Sequence, residues 1–323
     1  MSNYTGIDVS KLTIDCSISH SDGSVVDLKT GNNPDGFKKL LKHLSPDSHV
    51  VMEASGPYYY RLAYFLFESG ILVSVVNPLV IRRFCQMRMV RTKTDKKDSS
   101  MIRQYGQTEH PELWQPDAPE ITRLKQLNAA IELLDKNITA SYNQLEAFKI
   151  MPDTSKSIVK SLEAVIKQNE KAKDKLEEEM LSLAKKKYNK SFSGLQSIPG
   201  IGPKSAALLV AVTGNFTKFN HYKELVAYVG LNPRIYESGT SVKGRGHISK
   251  MGTGKLRKLL YLCSWSAKRC NIHCKEMYER LKAKSKPEKV IKIAIANKLL
   301  RQAFAIGKYG RTFEVNYQNQ FAF

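Results

Sequence analysis

Four carboxylates in the first third of the chain have the types and spacing for metal-assisted phosphodiester chemistry. Asp8 stands in Gly6-Ile-Asp-Val, an acidic residue inside an apolar run that reads as a strand, where Asp is disfavoured. Glu53 closes the run His49-Val-Val-Met and precedes Ala-Ser-Gly-Pro, so it sits at the carboxyl end of a strand, where α/β proteins gather ligands. Asp95 and Asp98 lie three residues apart behind Thr94, a capping residue, and project from one face of a helix's first turn. Singly, each acid reads equally well as a strand-end or helix-capping residue. Together they form an all-oxygen set that can converge on two divalent cations roughly 4 Å apart, the arrangement that cleaves phosphodiesters. Hard oxygen donors without Cys or His select Mg2+ or Mn2+ over Zn2+. Arg82, Arg83, Arg88, Arg91, Lys93, Lys96 and Lys97 surround Asp95 in the sequence, an acidic cluster inside a basic rim that suits a polyanionic substrate.

The elements that must position these acids follow from hydrophobic period. Tyr4 to Val9, Leu12 to Ile18 with alternation of two, and Val25 to Leu28 beyond the Ser21-Asp-Gly-Ser turn predict a three-stranded meander. Next come a helix from Asn33 through Leu44, the strand ending at Glu53, a helix from Pro57 to Glu68, a strand Ile71 to Val76, and a helix begun at Asn77-Pro. The order β-β-β-α-β-α-β-α is that of a ribonuclease H-like fold. From Ile121 to Phe148 apolar residues recur every three or four positions, and a second such run extends from Ile158 to Leu183 beyond Met151-Pro-Asp-Thr-Ser. This predicts two long helices, antiparallel or in a dimerising coiled coil.

Charge indicates the partner. The chain has 323 residues, and 51 Lys+Arg against 30 Asp+Glu leave it at +21. Residues 1–60 carry five basic and seven acidic residues, whereas 241–311 carry nineteen basic and three acidic ones. So regional an excess marks a polyanion site. No basic stretch is paired with the bulky apolar face of an interfacial helix, and no apolar run approaches the roughly 18 to 20 residues that span a bilayer, so nucleic acid is favoured over membrane. Five cysteines, an odd number, and a start without a signal-type n-region or h-region predict reduced thiols and a cytoplasmic, nucleoid-associated protein. In Ser197-Ile-Pro-Gly-Ile-Gly-Pro-Lys, Gly200 and Gly202 permit backbone amides to approach a phosphate, and Lys204 falls in the first turn of the next helix. This has the pattern of a helix-hairpin-helix element.

Two other motifs are set aside. Cys270-Asn-Ile-His-Cys274 lies on one predicted helix without a second ligand pair at zinc-finger spacing. Gly252-Thr-Gly-Lys255 lacks both the distant glycine and the Ser/Thr of a phosphate loop. The stretch Lys289 to Ile306, with Val290, Ile293, Leu299, Leu300 and Phe304, predicts a core helix with a basic outer face.

Gly6-Ile-Asp-Val-Ser-Lys, Glu53-Ala-Ser-Gly-Pro-Tyr, Val76-Asn-Pro, Lys93-Thr-Asp-Lys-Lys-Asp, the Ser197 hairpin and Gly230-Leu-Asn-Pro-Arg-Ile-Tyr-Glu-Ser-Gly-Thr-Ser-Val-Lys-Gly, in this order over nearly the whole chain, resemble the DEDD insertion-sequence transposases. That family includes Piv-like invertases and bridge-RNA-guided serine recombinases. The resemblance implies a RuvC-like catalytic domain over 1–112 with Asp8, Glu53, Asp95 and Asp98 as its metal-binding acids. It also implies a coiled-coil arm over 113–190 and a mostly helical transposase domain over 191–323. It further implies a nucleophilic serine, which falls on Ser238, with Ser241 as its neighbouring alternative. A structured guide RNA and a homodimer or homotetramer on double-stranded DNA are implied likewise. Arg234, Lys243 and Arg245 are expected to contact phosphates, as are Arg91 and Lys93 near the acids. The competing readings are a Mg2+-dependent junction-resolving nuclease that activates water, and a non-catalytic DNA-binding protein.

Overall fold

The structure is a computed structural model that describes residues 3–90, 94–234, 237–238, 242–243 and 247–315. The chain divides into two compact units, Met1–Pro116 and Asp117–Phe323.

The first unit is a five-stranded mixed sheet with helices on both faces. Its elements are β1 (Tyr4–Val9), β2 (Thr13–Ser19), β3 (Val25–Gly31), α1 (Pro34–Leu41), β4 (His49–Glu53), α2 (Tyr60–Glu68), β5 (Leu72–Val76), α3 (Pro78–Met87) and α4 (Asp95–Glu109). Strand order is β3-β2-β1-β4-β5, with β1, β2 and β3 antiparallel in sequence and β4 parallel to both β1 and β5. Alternation sends Ile7, Val9, Ile14, Cys16 and Ile18 to one face, where they pack with Phe37 and Leu40 of α1 and Leu62 and Leu66 of α2. Tyr4 and Val51 face the other way and pack with Ile81 of α3 and Ile102 of α4.

Two helix boundaries differ from the sequence expectation. The first helix ends at Leu41 rather than Leu44, and the second starts at Tyr60, because Gly56 takes a left-handed φ of +66° and residues 57–59 form a turn.

The second unit begins with two 32-residue helices, α5 (Pro119–Ile150) and α6 (Lys156–Lys187). They run antiparallel: Arg123 pairs with Glu179 at 2.6 Å, Lys173 with Asp135 at 2.7 Å, and Lys149 with Glu163 at 3.4 Å. At one end Ile121, Leu124, Ile131, Met180 and Ala184 join the unit's main core. Farther along, Ile138, Leu145 and Ile166 are buried while Leu133, Tyr142, Ile158 and Val165 are exposed.

The rest of the unit comprises α7 (Asn189–Gln196), α8 (Pro203–Thr213), α9 (Tyr222–Val229), four two-residue strands β6 (Pro233–Arg234), β7 (Glu237–Ser238), β8 (Val242–Lys243) and β9 (His247–Ile248), then α10 (Gly254–Cys270), α11 (Ile272–Ala283) and α12 (Glu288–Tyr309). Cys270 and Cys274 do not share a helix as expected. Asn271 has extended backbone and accepts from the Cys274 amide at 3.2 Å, so it ends α10 and caps α11. Cys274 is buried and Cys270 exposed. Val290, expected in the core, is 49% exposed, because α12 turns its neighbour Ile291 inward instead. No helix among the described residues is long and apolar enough to cross a membrane.

Candidate active site

Gly6 decides how closely α4, which carries Asp95 and Asp98, approaches the strand of Asp8. It lies two residues before Asp8 on the same face of β1, and a Cβ built on it would come within 2.2 Å of the Ser99 carbonyl oxygen and the Arg103 amide nitrogen of α4. Only a bare backbone lets α4 rest directly on the strand. The helix is pinned there by Arg103 Nε, which donates to Ser17 Oγ at 3.1 Å, and by a 2.8 Å Lys96–Asp27 ion pair. Its first turn is set by Thr94, whose hydroxyl accepts from the Lys97 amide at 3.2 Å. Asp95 and Asp98 occupy that turn, where the helix dipole favours carboxylates.

Glu53 comes from the strand beside β1. Met52 is the register partner of Ile7, so Glu53 follows at the carboxyl end of β4 next to Asp8. Ser55 Oγ donates to Glu53 Oε1 at 2.6 Å and fixes that carboxylate.

The electrostatics register the convergence. Burial, then the negative charges of Asp98, Asp95, Glu53 and Asp15, raise the Asp8 carboxyl from 3.8 to about 6. The four acids expected from the sequence thus share one field.

A fifth carboxylate belongs to the same field. Asp15 is the register partner of Asp8 across β1 and β2, and Lys29 is the partner of Asp15 across β2 and β3. Lys29 Nζ lies 3.1 Å from Asp15 and 3.7 Å from Asp95. Its ammonium is held above its ordinary range mainly by Asp15, with Asp95 adding to it. Sequence reasoning passed over both residues. The signal was an acid in an alternating apolar strand, the same one that singled out Asp8.

As placed, no three His, Cys, Asp or Glu side chains among the described residues stand close enough to chelate an ion. The donor set nonetheless fits a hard divalent cation: it is all carboxylate oxygen, and burial together with the neighbouring acids raises the Asp8 carboxyl to about 6, an excess of negative charge that a cation offsets.

The other expected residues lie in the second unit. Ser238 stands in β7 opposite Val242, and Lys243 in β8 opposite Glu237, so the two form a short antiparallel pair. Arg234 is exposed in β6, whose partner is β9. Ser241, Arg91, Lys93 and Arg245 lie outside the described residues. Gly200 has φ +104°, and a Cβ on it would meet Ala267 Cβ of α10 at 2.6 Å, so internal packing already requires this glycine. A Cβ on Gly202 would meet nothing within 4 Å, so its surroundings are open. Lys204 pairs with Glu177 of α6. Lys255 of the Gly252 motif likewise pairs with an α5 side chain, Glu132.

Comparison with known proteins bears on the whole chain. Residues 193–279 match the family model described as Transposase IS116/IS110/IS902 family, and residues 5–148 match a DEDD transposase model of the IS110 type, which implies a ribonuclease H-like fold and dependence on a divalent metal. The pilin gene-inverting protein of Moraxella lacunata is 31% identical over 96% of this chain and 97% of its own length. Its counterpart in Moraxella bovis is 30% identical over the same shares. The transposase for insertion sequence element IS1111A of Coxiella burnetii is 26% identical over 65% of this chain and 63% of its own. Matches to both halves and near-complete coverage by relatives at 30% identity or more leave one assignment: the chain belongs to the IS110/IS116 family of DEDD transposases and is a DNA transposase or site-specific recombinase.

Proposed function

We propose that this transposase cuts and exchanges DNA strands of an insertion sequence through a covalent phosphoserine at Ser238, with Mg2+ held by Asp8, Glu53, Asp95 and Asp98. The observation that carries the metal assignment is Asp8, whose carboxyl is pushed to about 6 by burial and by the surrounding acids. These four carboxylates would hold a divalent cation, which when bound would offset their charge and supply Lewis-acid polarisation of a scissile phosphate. Ser55 and Thr94 hold Glu53 and the start of α4 in place, and Lys29 bridges Asp15 and Asp95.

In the chemical step Ser238 Oγ attacks phosphorus, its proton passes to a base, and the bond to the 3′ oxygen breaks. The products are a 5′-phosphoserine and a protonated 3′-OH. A 3′-OH from another strand then displaces the serine, so the bond is rebuilt without ATP. The backbone register of Ser238 with Val242 is consistent with this reading, because Lys243, expected to contact a phosphate, lies in the paired strand.

Residues 1–112 form the catalytic domain in this reading, 113–190 a coiled-coil arm that joins protomers into a dimer or tetramer, and 191–323 the serine-bearing domain with a helix-hairpin-helix element. The basic carboxyl third holds the nucleic acid, and a structured guide RNA chooses the target by base pairing, as the family likeness suggests. The test is covalent trapping on labelled DNA in Mg2+. A DNA adduct lost in Ser238→Ala and kept in Ser241→Ala supports the assignment; the reverse pattern moves the nucleophile to Ser241, and cleavage retained in Ser238→Ala without any adduct assigns the attack to water.

A further inference from the structure

A cavity of about 1030 Å³ opens in the second unit between α9, α11, α12 and the β6–β9 pair. Its wall is apolar, with Leu231, Ile293 and Phe304, whereas its rim carries Arg280, Lys298 and Arg301. None of the described residues lining it is acidic. At one side the Arg301 guanidinium lies over the Tyr222 ring, 4.7 Å from its centroid, and the His221 ring is tilted against it at 37° with centroids 4.4 Å apart. The volume is at the upper end of the roughly 300–1,000 Å³ typical of small-molecule pockets.

We propose that this cavity receives an unstacked base from a single-stranded segment of the nucleic acid on which the transposase acts. A splayed base has two apolar faces, and the strand that carries it is a polyanion. An apolar wall, an aromatic–guanidinium stack and a rim of three cations match both parts at once. A duplex keeps its bases stacked and offers phosphates and groove edges, for which surface cations suffice and an apolar recess adds nothing. An apolar peptide would fit the wall but leave the three rim cations without a counterpart.

The location suits the reaction. Pro233 in β6 lines the cavity, and the same segment reaches Ser238 five residues later. The inference rests on nucleic acid being the substrate and not on which group attacks the phosphate.

The experiment uses the full chain in EDTA, so that binding is read without cleavage and the phosphoserine reading is judged separately by trapping. Affinities are measured for single-stranded DNA, single-stranded RNA of the same sequence, and the DNA duplex. Val290→Trp plugs the cavity mouth from an exposed position without changing charge. It is expected to weaken one or both single strands by about tenfold, the scale of one lost base stack, while duplex affinity moves less than about twofold. Which single strand weakens identifies the strand as DNA or RNA. Photocrosslinking of 5-iodouracil oligonucleotides to the unmodified protein is expected to map to His221, Tyr222 or Tyr309. Equal weakening of duplex and single strands, no weakening at all, or crosslinks confined to residues outside the cavity would overturn the proposal.

Discussion

Asp8 and Asp15 are register partners on adjacent antiparallel strands, so two carboxylates share one face of the sheet directly opposite each other. Like charges so placed repel, and the pair is tolerated because Lys29, partner of Asp15 on the next strand, is 3.1 Å away. The row Asp8, Asp15, Lys29 therefore runs across three strands beneath the start of α4. Lys29 also reaches Asp95, so one exposed cation touches both the sheet and the helix that carry the acids.

The charge on Asp8 acts against the metal-free fold. Its carboxyl titrates near 6 in the folded chain against 3.8 when unperturbed, so between these pH values the unfolded state loses a proton that the native state keeps. Stability thus falls as pH rises through this window, and the full penalty is present above pH 6. Asp8→Asn removes it. In EDTA at pH 7 the variant is expected to melt higher than the unmodified protein, by ~2–4 °C for each kcal/mol recovered, while strand cleavage is lost. Equal melting temperatures at pH 7 would show that Asp8 is not under strain from its neighbours.

Gly6→Ala should separate α4 from the sheet. The added methyl meets backbone atoms at 2.2 Å, which cannot rotate away, so the cost is that of overpacking, ~1–3 kcal/mol or more. Urea denaturation should show a lower midpoint with an unchanged slope. The Mg2+ concentration for half-maximal cleavage should rise, because Asp95 and Asp98 ride on α4. A Gly6→Ala protein with normal metal dependence would mean that α4 does not position the acids.

His49 makes the first unit sensitive to mild acid. Burial, then the charge of His110, holds its imidazole below the ordinary 6.5, and its Nε2 lies 2.7 Å from Ser74 Oγ. Because the single Ser74 hydroxyl proton is directed to the Glu112 carbonyl at 2.7 Å, with that of Pro111 at 3.0 Å, the oxygen accepts from the neutral ring's Nε2–H. As pH falls through 6.5 the unfolded histidine takes up a proton that the folded one refuses, so stability is full above 6.5 and drops below it. Melting temperatures recorded from pH 8 to 5.5 should fall less steeply for His49→Gln, which keeps a donor but does not titrate. Parallel curves would assign the acid sensitivity elsewhere.

Much of the architecture was legible in local pattern. Alternation of two announced β2, and three-four spacing announced α5 and α6 almost to their ends, since both periods are properties of the backbone that any buried face must obey. Thr94 revealed the start of α4, and Asp8, Glu53, Asp95 and Asp98 stood out because carboxylates at those places oppose strand propensity or complete a helix turn. The sequence by itself thus determined which acids stand out as candidates and which elements hold them.

What the tertiary structure decided is which distant residues meet. Asp15 and Lys29 enter the site only through strand register, a relation between segments that no local period encodes. Gly6 is one small residue among several until α4 is laid on it, and Gly200 is required by α10 packing against its turn. Cys270 and Cys274 part company because the Asn271 side chain bonds the next helix's amide in preference to continuing the first. Val290 lines a cavity although its apolar period placed it in a core, because the face of α12 that points inward is chosen by its neighbours α9, α10 and α11. Side-chain identity and period act over a few residues, whereas register and packing are settled by the burial of whole faces against each other.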